Sequence, residues 1–226
     1  ACAFAPQAAV IANPAPFHVE TALALAAGGC HLLIEKPLAH ELAGVPTLLQ
    51  RAADMGETLQ VGYNLRSLPS LKDFRTRIQG GAIGRILSVR CEIGQYLPSW
   101  RPDTDYRAGV SARRSLGGGV LLELSHELDY LRWIFGEVAW VNAWLGQQSD
   151  LEIDVEDIAH LVLGFVPAVN GRAPVAAVSL DFIRQDITRT CTAIGDQGTL
   201  RWNGLTGQVD LLPAGHQVWQ LLYQHA

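Results

Sequence analysis

The sequence predicts an α/β segment followed by an α+β segment: a small parallel sheet, then a broad and mainly antiparallel one. Three observations predict it. Short apolar runs alternate with helix-length Ala/Leu-rich stretches over residues 1–64. From residue 86 onward the strands lengthen and follow one another, with alternation such as Ser88-Val89-Arg90-Cys91-Glu92-Ile93. The early apolar runs each stop on polar residues, at Asn13, at Glu35-Lys36 and at Asn64.

Ala8-Ala9-Val10-Ile11-Ala12 reads as the first strand, closed by Asn13-Pro14. Phe17 to Ala27 follows as a helix that Gly28-Gly29 terminates. His31 to Ile34 is the second strand, Glu41 to Met55 the second helix, and Thr58 to Gly62 the third strand. Apolar runs on every strand imply a parallel sheet covered on both faces. A helix over Leu68–Ile78 ends at Gly80-Gly81. Strands are then expected at Ile86–Tyr96, Val138–Gln147, Asp157–Phe165, Val175–Phe182, Thr188–Ile194, Thr199–Trp202 and Gln208–Leu212, with Gly195-Asp196-Gln197-Gly198 as a hairpin turn. The change of pattern places a domain boundary near residue 65, between residues 1–65 and 66–226.

One helix interrupts the strands. Gly117-Gly118-Gly119 precedes Val120 to Phe135, where Leu121, Leu124, Leu128, Leu131 and Phe135 form an apolar stripe at helical spacing. His126, Asp129 and Trp133 lie on the opposite face, with Leu122 and Tyr130 beside them. So many large residues opposite a core stripe imply a helix covered on both sides. Buried ionisable groups of this kind are functional candidates.

The 226 residues are 49% hydrophobic and 17% charged, with a net charge of -5. That composition describes a well-buried globular chain and argues against a nucleic-acid binder. No apolar stretch approaches the length of a membrane span. Cys2, Cys30, Cys91 and Cys191 are scattered, with no C-x-x-C pair, so the reading expects no zinc or redox motif and a reducing cytoplasm.

The strand ends carry the chemistry. Glu35-Lys36-Pro37 directly follows the apolar run His31–Ile34, so this strand stops abruptly on a charged pair. In open α/β sheets ligands bind outside the carboxyl ends of the strands. A lysine there can act as acid, base or electrostatic clamp. Taken singly, Asn13 and Asn64 are turn residues and Glu35 and Lys36 solvated charges. Three such tips along one edge favour a site.

Several segments resemble the glucose–fructose oxidoreductase / inositol dehydrogenase (Gfo/Idh/MocA) family, in order and over nearly the whole chain. Val10-Ile11-Ala12-Asn13-Pro14 through His18 looks like its strand, Thr/Asn-Pro and His segment. Ala27-Gly28-Gly29 with His31 through Pro37 looks like its A-G-K-H-V-x-x-E-K-P signature, and Val61-Gly62-Tyr63-Asn64-Leu65-Arg66 like its V-G-[FY]-N-x-R strand end. Trp100-Arg101, then Gly117–Gly119, Glu123, His126 and Asp129, resemble its W-R, G-G-G and D-x-x-x-H-x-x-D stretch.

The resemblance implies the C-terminal half of a Rossmann domain followed by an open-faced sheet domain with helices on one face, which forms a dimer or tetramer interface. It implies an oxidoreductase using NAD or NADP on a sugar, cyclitol or sugar-derived alcohol. Lys36 and His126 would handle the proton, with Glu123 and Asp129 beside them. Asn13, Pro14, His18, Glu35, Lys36, Asn64, Trp100 and Arg101 would face the cofactor. No metal is implied.

Two departures stand out. The family's G-x-G-x-x-G is absent, so the chain reads as a fragment whose missing part is about two β-α units, roughly 60 residues. As given, it is expected to bind dinucleotide poorly or not at all. The C-terminal Leu221–Ala226 also stops where continuation is expected. Second, the acid before His126 is Glu123 at i−3, where the family pattern has Asp at i−4.

The long loop Leu97–Leu116, with Tyr96, Asp105, Tyr106 and Arg107, is the expected seat of substrate choice. Asp129 could instead pair with Arg132 along the helix. His31, His40, His160, His216 and His225 belong to no constellation. Two other functions compete. Glu123-Leu124-Ser125-His126 is an E-x-x-H, a di-iron spacing, although such sites need two copies on long helices. A non-catalytic sugar or dinucleotide sensor, or an assembly protein of the same fold, would have lost the lysine or the histidine; both are present.

Overall fold

Ala8–Ile11 (β1), His31–Ile34 (β2) and Leu59–Val61 (β3) form a three-stranded parallel sheet in the order β1-β2-β3. The computed structural model describes Phe4, residues 6–167 and residues 173–224. Cys2 and His225 lie outside the described residues.

The crossovers are His18–Ala26 (α1) and Val45–Met55 (α2). Ile11, Leu32 and Ile34 point to one face and close a core with Ala22, Leu25 and Ala26 of α1 and Leu48 of α2. Burying each large side chain there is worth about 1.5–3 kcal/mol. The expectation that both faces are covered is corrected: Val10 and Leu33 are exposed on the face opposite. Successive parallel strands in the order 1-2-3, joined by crossovers of one hand, place both helices on the same side. The second helix also starts later than Glu41. Pro46 occupies its first turn, and a proline further inside would lack its N–H and clash with the preceding turn.

The described chain divides into two compact units. The first comprises residues 1–63, 106–125 and 152–155; the second comprises residues 64–105, 126–151 and 156–226. A single cut at residue 65 therefore differs from this division by the two later segments that cluster with the first unit. One of them contains the short helix Val120–Glu123 (α4).

The second unit is built on an eight-stranded sheet. Its strands are Ile86–Gly94 (β4), Val138–Gly146 (β5), Ile158–Phe165 (β6), Val175–Asp181 (β7), Thr188–Gly195 (β8), Gly198–Asn203 (β9), Gln208–Pro213 (β10) and Gln220–Gln224 (β11). The order is β11-β10-β9-β8-β4-β7-β6-β5. β4 pairs parallel with β7, and the other neighbours are antiparallel. The turn between β8 and β9 is the Asp196-Gln197 hairpin expected from sequence. β11 falls in a segment that sequence reasoning left unassigned.

Pro69–Gln79 (α3) and His126–Phe135 (α5) lie on one face of this sheet. Trp202 is fully buried there, its indole N–H donating to Ser70 Oγ at 3.0 Å, and Tyr130 meets it edge-on at 5.5 Å. On the other face Val162, Trp140 and Trp144 are exposed, with Trp144 stacked on His160. Among the described residues no helix is long and apolar enough to cross a membrane.

The expected single helix Val120–Phe135 is corrected. It breaks at Leu124-Ser125, where Leu124 leaves helical geometry (φ -99°, ψ 25°), and the division between the units falls between Ser125 and His126. The buried side of α5 is Glu127, Tyr130, Leu131 and Ile134, rather than a stripe through Leu128 and Phe135, which are only half-buried.

Candidate active site

In the first unit the carboxyl ends of β1 and β2 lead straight into the predicted site residues. Asn13 follows Ile11 by two residues, and its side-chain amide donates to Thr21 Oγ1 at 3.1 Å. His18 is buried, with Nε2 2.7 Å from the Asn13 carbonyl and Nδ1 2.9 Å from the Pro37 carbonyl. Both carbonyls only accept, so in a neutral ring one of the two nitrogens donates, and the ring spans from the end of β1 to the loop after β2. Glu35 N–H donates to the Ile11 carbonyl, and the peptide between Lys36 and Pro37 is cis. The Glu35 carboxylate lies over Gly62, where an added Cβ would stand 3.1 Å from Oε2.

Lys36 reaches across to α4. Its Nζ donates to the Glu123 carbonyl at 2.8 Å and lies 4.0 Å from the Glu123 carboxylate. Both side chains are 19% exposed. These residues are 87 apart in sequence, and the structure brings them together. What carries α4 there is the turn at Gly117, where φ is +78° and an added Cβ would come within 3.1 Å of Ala15 and Pro16. Gly117 therefore lets this segment pack closely against Ala15 and Pro16.

Tyr106 and Arg107 also belong to the first unit. Arg107 pairs with Glu152 at 2.9 Å, and the Glu152 N–H donates to the Tyr106 hydroxyl at 3.3 Å. Arg114 N–H donates to the Asp154 carboxylate at 2.6 Å. The latter half of the long loop thus folds into 3-10 turns and is tied by these contacts to residues 152–154, a partner segment that carries no local signal of its role.

In the second unit His126 is the first residue of α5. Asp129 accepts a bidentate pair from Arg66, Nε at 2.8 Å and Nη2 at 2.6 Å. Arg132 instead pairs with Glu137 at 2.7 Å, which raises the arginine's pKa and lowers that of Glu137. The helical pairing of Asp129 with Arg132 is therefore corrected: the long-range arginine offers a fork that matches the carboxylate. Asn64 opens the turn Asn64–Ser67 that carries Arg66 and belongs to this second unit. Trp100 packs edge-on to Phe182 at 5.2 Å and donates its indole N–H to the Gln95 carbonyl at 3.1 Å, while Arg101 is exposed.

Sequence reasoning missed Glu127. It is fully buried and lies 3.0 Å from Arg189 of β8. One turn along the helix, the Tyr130 hydroxyl is 3.0 Å from Cys91 Sγ. A charged residue beside a candidate histidine on a helix was the signal available. His31 Nδ1 accepts from the Thr58 N–H, 27 residues on, and His216 makes a local contact with the Ala214 carbonyl. Among the described residues no group of three or more His, Cys, Asp or Glu is placed to hold a metal ion. The E-x-x-H lies on no continuous helix, because the break falls between Glu123 and His126.

The architecture is a parallel strand-helix unit followed by a broad mixed sheet with helices on one face. Residues 3–63 match the profile of an oxidoreductase family with an NAD-binding Rossmann fold, and residues 71–201 match the GFO/IDH/MocA C-terminal domain. The chain belongs to the GFO/IDH/MocA oxidoreductase family. It is similar to levoglucosan dehydrogenase of Pseudarthrobacter phenanthrenivorans, 35% identical over 60% of this chain and 34% of that protein. It is also similar to the rhizopine catabolism protein MocA of Rhizobium meliloti, 34% identical over 57% of this chain and 38% of that protein. A solved levoglucosan dehydrogenase in complex with NADH superposes with a TM-score of 0.82 at 26% identity, covering 96% of this chain and 60% of the solved one. The matches thus span about a third of these curated relatives and three-fifths of the solved chain.

Proposed function

We propose that this chain serves an oxidoreductase that moves a hydride between a nicotinamide, NAD or NADP, and a hydroxyl or carbonyl of a sugar, cyclitol or sugar derivative. Lys36 carries the reading. Its ammonium group is held at the carboxyl end of a parallel strand, anchored by one hydrogen bond to Glu123, with further N–H groups to direct at a substrate oxygen. Alcohol oxidation needs such a group, because the carbinol gives up hydride only as its proton leaves. We assign Lys36 and His126 to that proton, Glu123 to anchoring Lys36, and Asp129 to fixing its own helix through Arg66.

The residues fit the nicotinamide end of a dinucleotide. Polar groups crown the strand ends, and Gly62 leaves room for the Glu35 carboxylate where a Cβ would crowd it. We assign Asn13, Pro14, His18, Glu35, Lys36, Asn64, Trp100 and Arg101 to the cofactor side; for Trp100 any contact runs through the ring, since Gln95 takes the indole N–H. The nicotinamide would supply the hydride acceptor or donor. The sequence holds no G-x-G-x-x-G for the pyrophosphate. In this proposal residues 1–65 serve the dinucleotide, and 66–226 serve the substrate and assembly of a dimer or tetramer through the open sheet face. A cytoplasmic setting agrees with the free, buried thiols of Cys30, Cys91 and Cys191.

Fluorescence titration with NADH and NADPH, on this chain and on the complete gene product, tests the cofactor assignment. The expected outcome is saturable binding by the complete product, with weaker binding by this chain. No binding by either leaves a non-catalytic member of the fold as the better reading.

A further inference from the structure

We infer that the buried Glu127–Arg189 ion pair is a positioning device that sets the direction of His126; this rests on the reading of His126 as a proton-handling residue. His126 is the first residue of α5. Its direction depends on how α5 is rotated about its own axis.

Two arginine–carboxylate pairs act on that rotation, both within the second unit. An α-helix turns about 100° per residue, so Glu127 lies about 100° to one side of His126 and Asp129 about 60° to the other. Asp129 is clamped by Arg66 from the turn at residues 64–67. The Glu127 carboxylate lies 3.0 Å from Arg189 Nε of the sheet beneath, an ion pair rather than a two-point fork. His126 stands between the two.

The sheet is built to admit the second pair. Arg189 lies opposite Ile93 in the β4–β8 ladder, two residues before Cys191, and Tyr130 covers Cys91 and Cys191 one helical turn after Glu127. Helix and strand therefore advance together. The Arg189 stem passes Gly204, where an added Cβ would stand 2.7 Å from both Cγ and Cδ. A fully buried carboxylate is an expensive way to stabilise a helix, since well-packed apolar residues of similar volume often serve equally well or better. A short ion pair ties one position of α5 to one position of β8, whereas an apolar contact spreads over several.

The test uses the Glu127→Leu/Arg189→Met double variant, which removes both charges together. The readout is the ring resonances of His126 in histidine-labelled protein, assigned by their loss in His126→Ala. The double variant is expected to keep its thermal midpoint while the His126 signals shift or broaden. In the complete gene product, kcat on the best sugar or cyclitol is expected to fall about ten-fold or more with KM little changed. The same double replacement made on His126→Ala is expected to cost no further kcat. Unmoved His126 signals in a folded double variant overturn the inference, as does a full additive loss on His126→Ala. If the double variant fails to fold, Glu127→Gln, which keeps shape and volume, is expected to move the same signals, and their staying put overturns the inference equally. A His126→Ala enzyme with normal turnover sinks the proton-handling reading alone, while the ring signals still decide the positioning.

Discussion

Lys36 owes its place to contacts that no local pattern announces. The strand His31–Ile34 delivers it, yet its partner, Glu123, arrives from a glycine turn 87 residues on. The tripeptide Glu35-Lys36-Pro37 was legible as a strand end; the hydrogen bond that holds the ammonium group was not. Asp129 teaches the same lesson in reverse. Helical spacing offered Arg132, but Arg66 takes the carboxylate with a two-point fork. The thiols of Cys91 and Cys191 face each other across β4 and β8, and burial pushes both well above their ordinary value near 9.0. In the folded state they stay protonated where the unfolded chain ionises. Stability is therefore fully present below pH 9 and is lost as pH rises from there toward the raised folded values. Denaturant melts from pH 7.5 to 10.5 check this, and a midpoint that holds or rises above pH 9 contradicts it.

The alternation of strand and helix in the first unit, the hairpin at Asp196-Gln197 and the antiparallel runs follow from apolar periodicity and turn residues, and these elements were readable. Helix α5 was not. Its apolar residues fit one continuous stripe from 121 to 135, and nothing in that spacing marks the break at Leu124-Ser125. A buried Glu127 defeats periodicity outright, because burial there depends on an arginine on a strand more than sixty residues away in sequence. The glycine run at 117–119 was read as a helix start, and its larger role is close approach. Gly117→Ala is expected to destabilise by about 1–3 kcal/mol, since it combines a left-handed backbone with contact to Ala15 and Pro16. Urea unfolding measures it, and a loss under a few tenths of a kcal/mol would show that the turn relaxes freely.

At the scale of the molecule, a parallel sheet and a larger, mainly antiparallel sheet were both foreseeable. The parallel pairing of β4 with β7 inside that larger sheet was not, because strand runs do not encode which strands become neighbours. The face bearing Trp140 and Trp144 is the candidate assembly surface, these two being 50% and 47% exposed. Trp140→Glu with Trp144→Glu is expected to convert a dimer or tetramer to monomer by light scattering. An unchanged mass contradicts the assignment of assembly to this face.

The measurement that bears most directly on the central claim is NAD(P)-linked turnover by the complete gene product, wild type beside Lys36→Met, over a panel of cyclitols, sugars and anhydrosugars. The account expects turnover on one member of the panel and a fall of about a hundred-fold or more in Lys36→Met, with the thermal midpoint nearly unchanged. Equal turnover by the two proteins would contradict it.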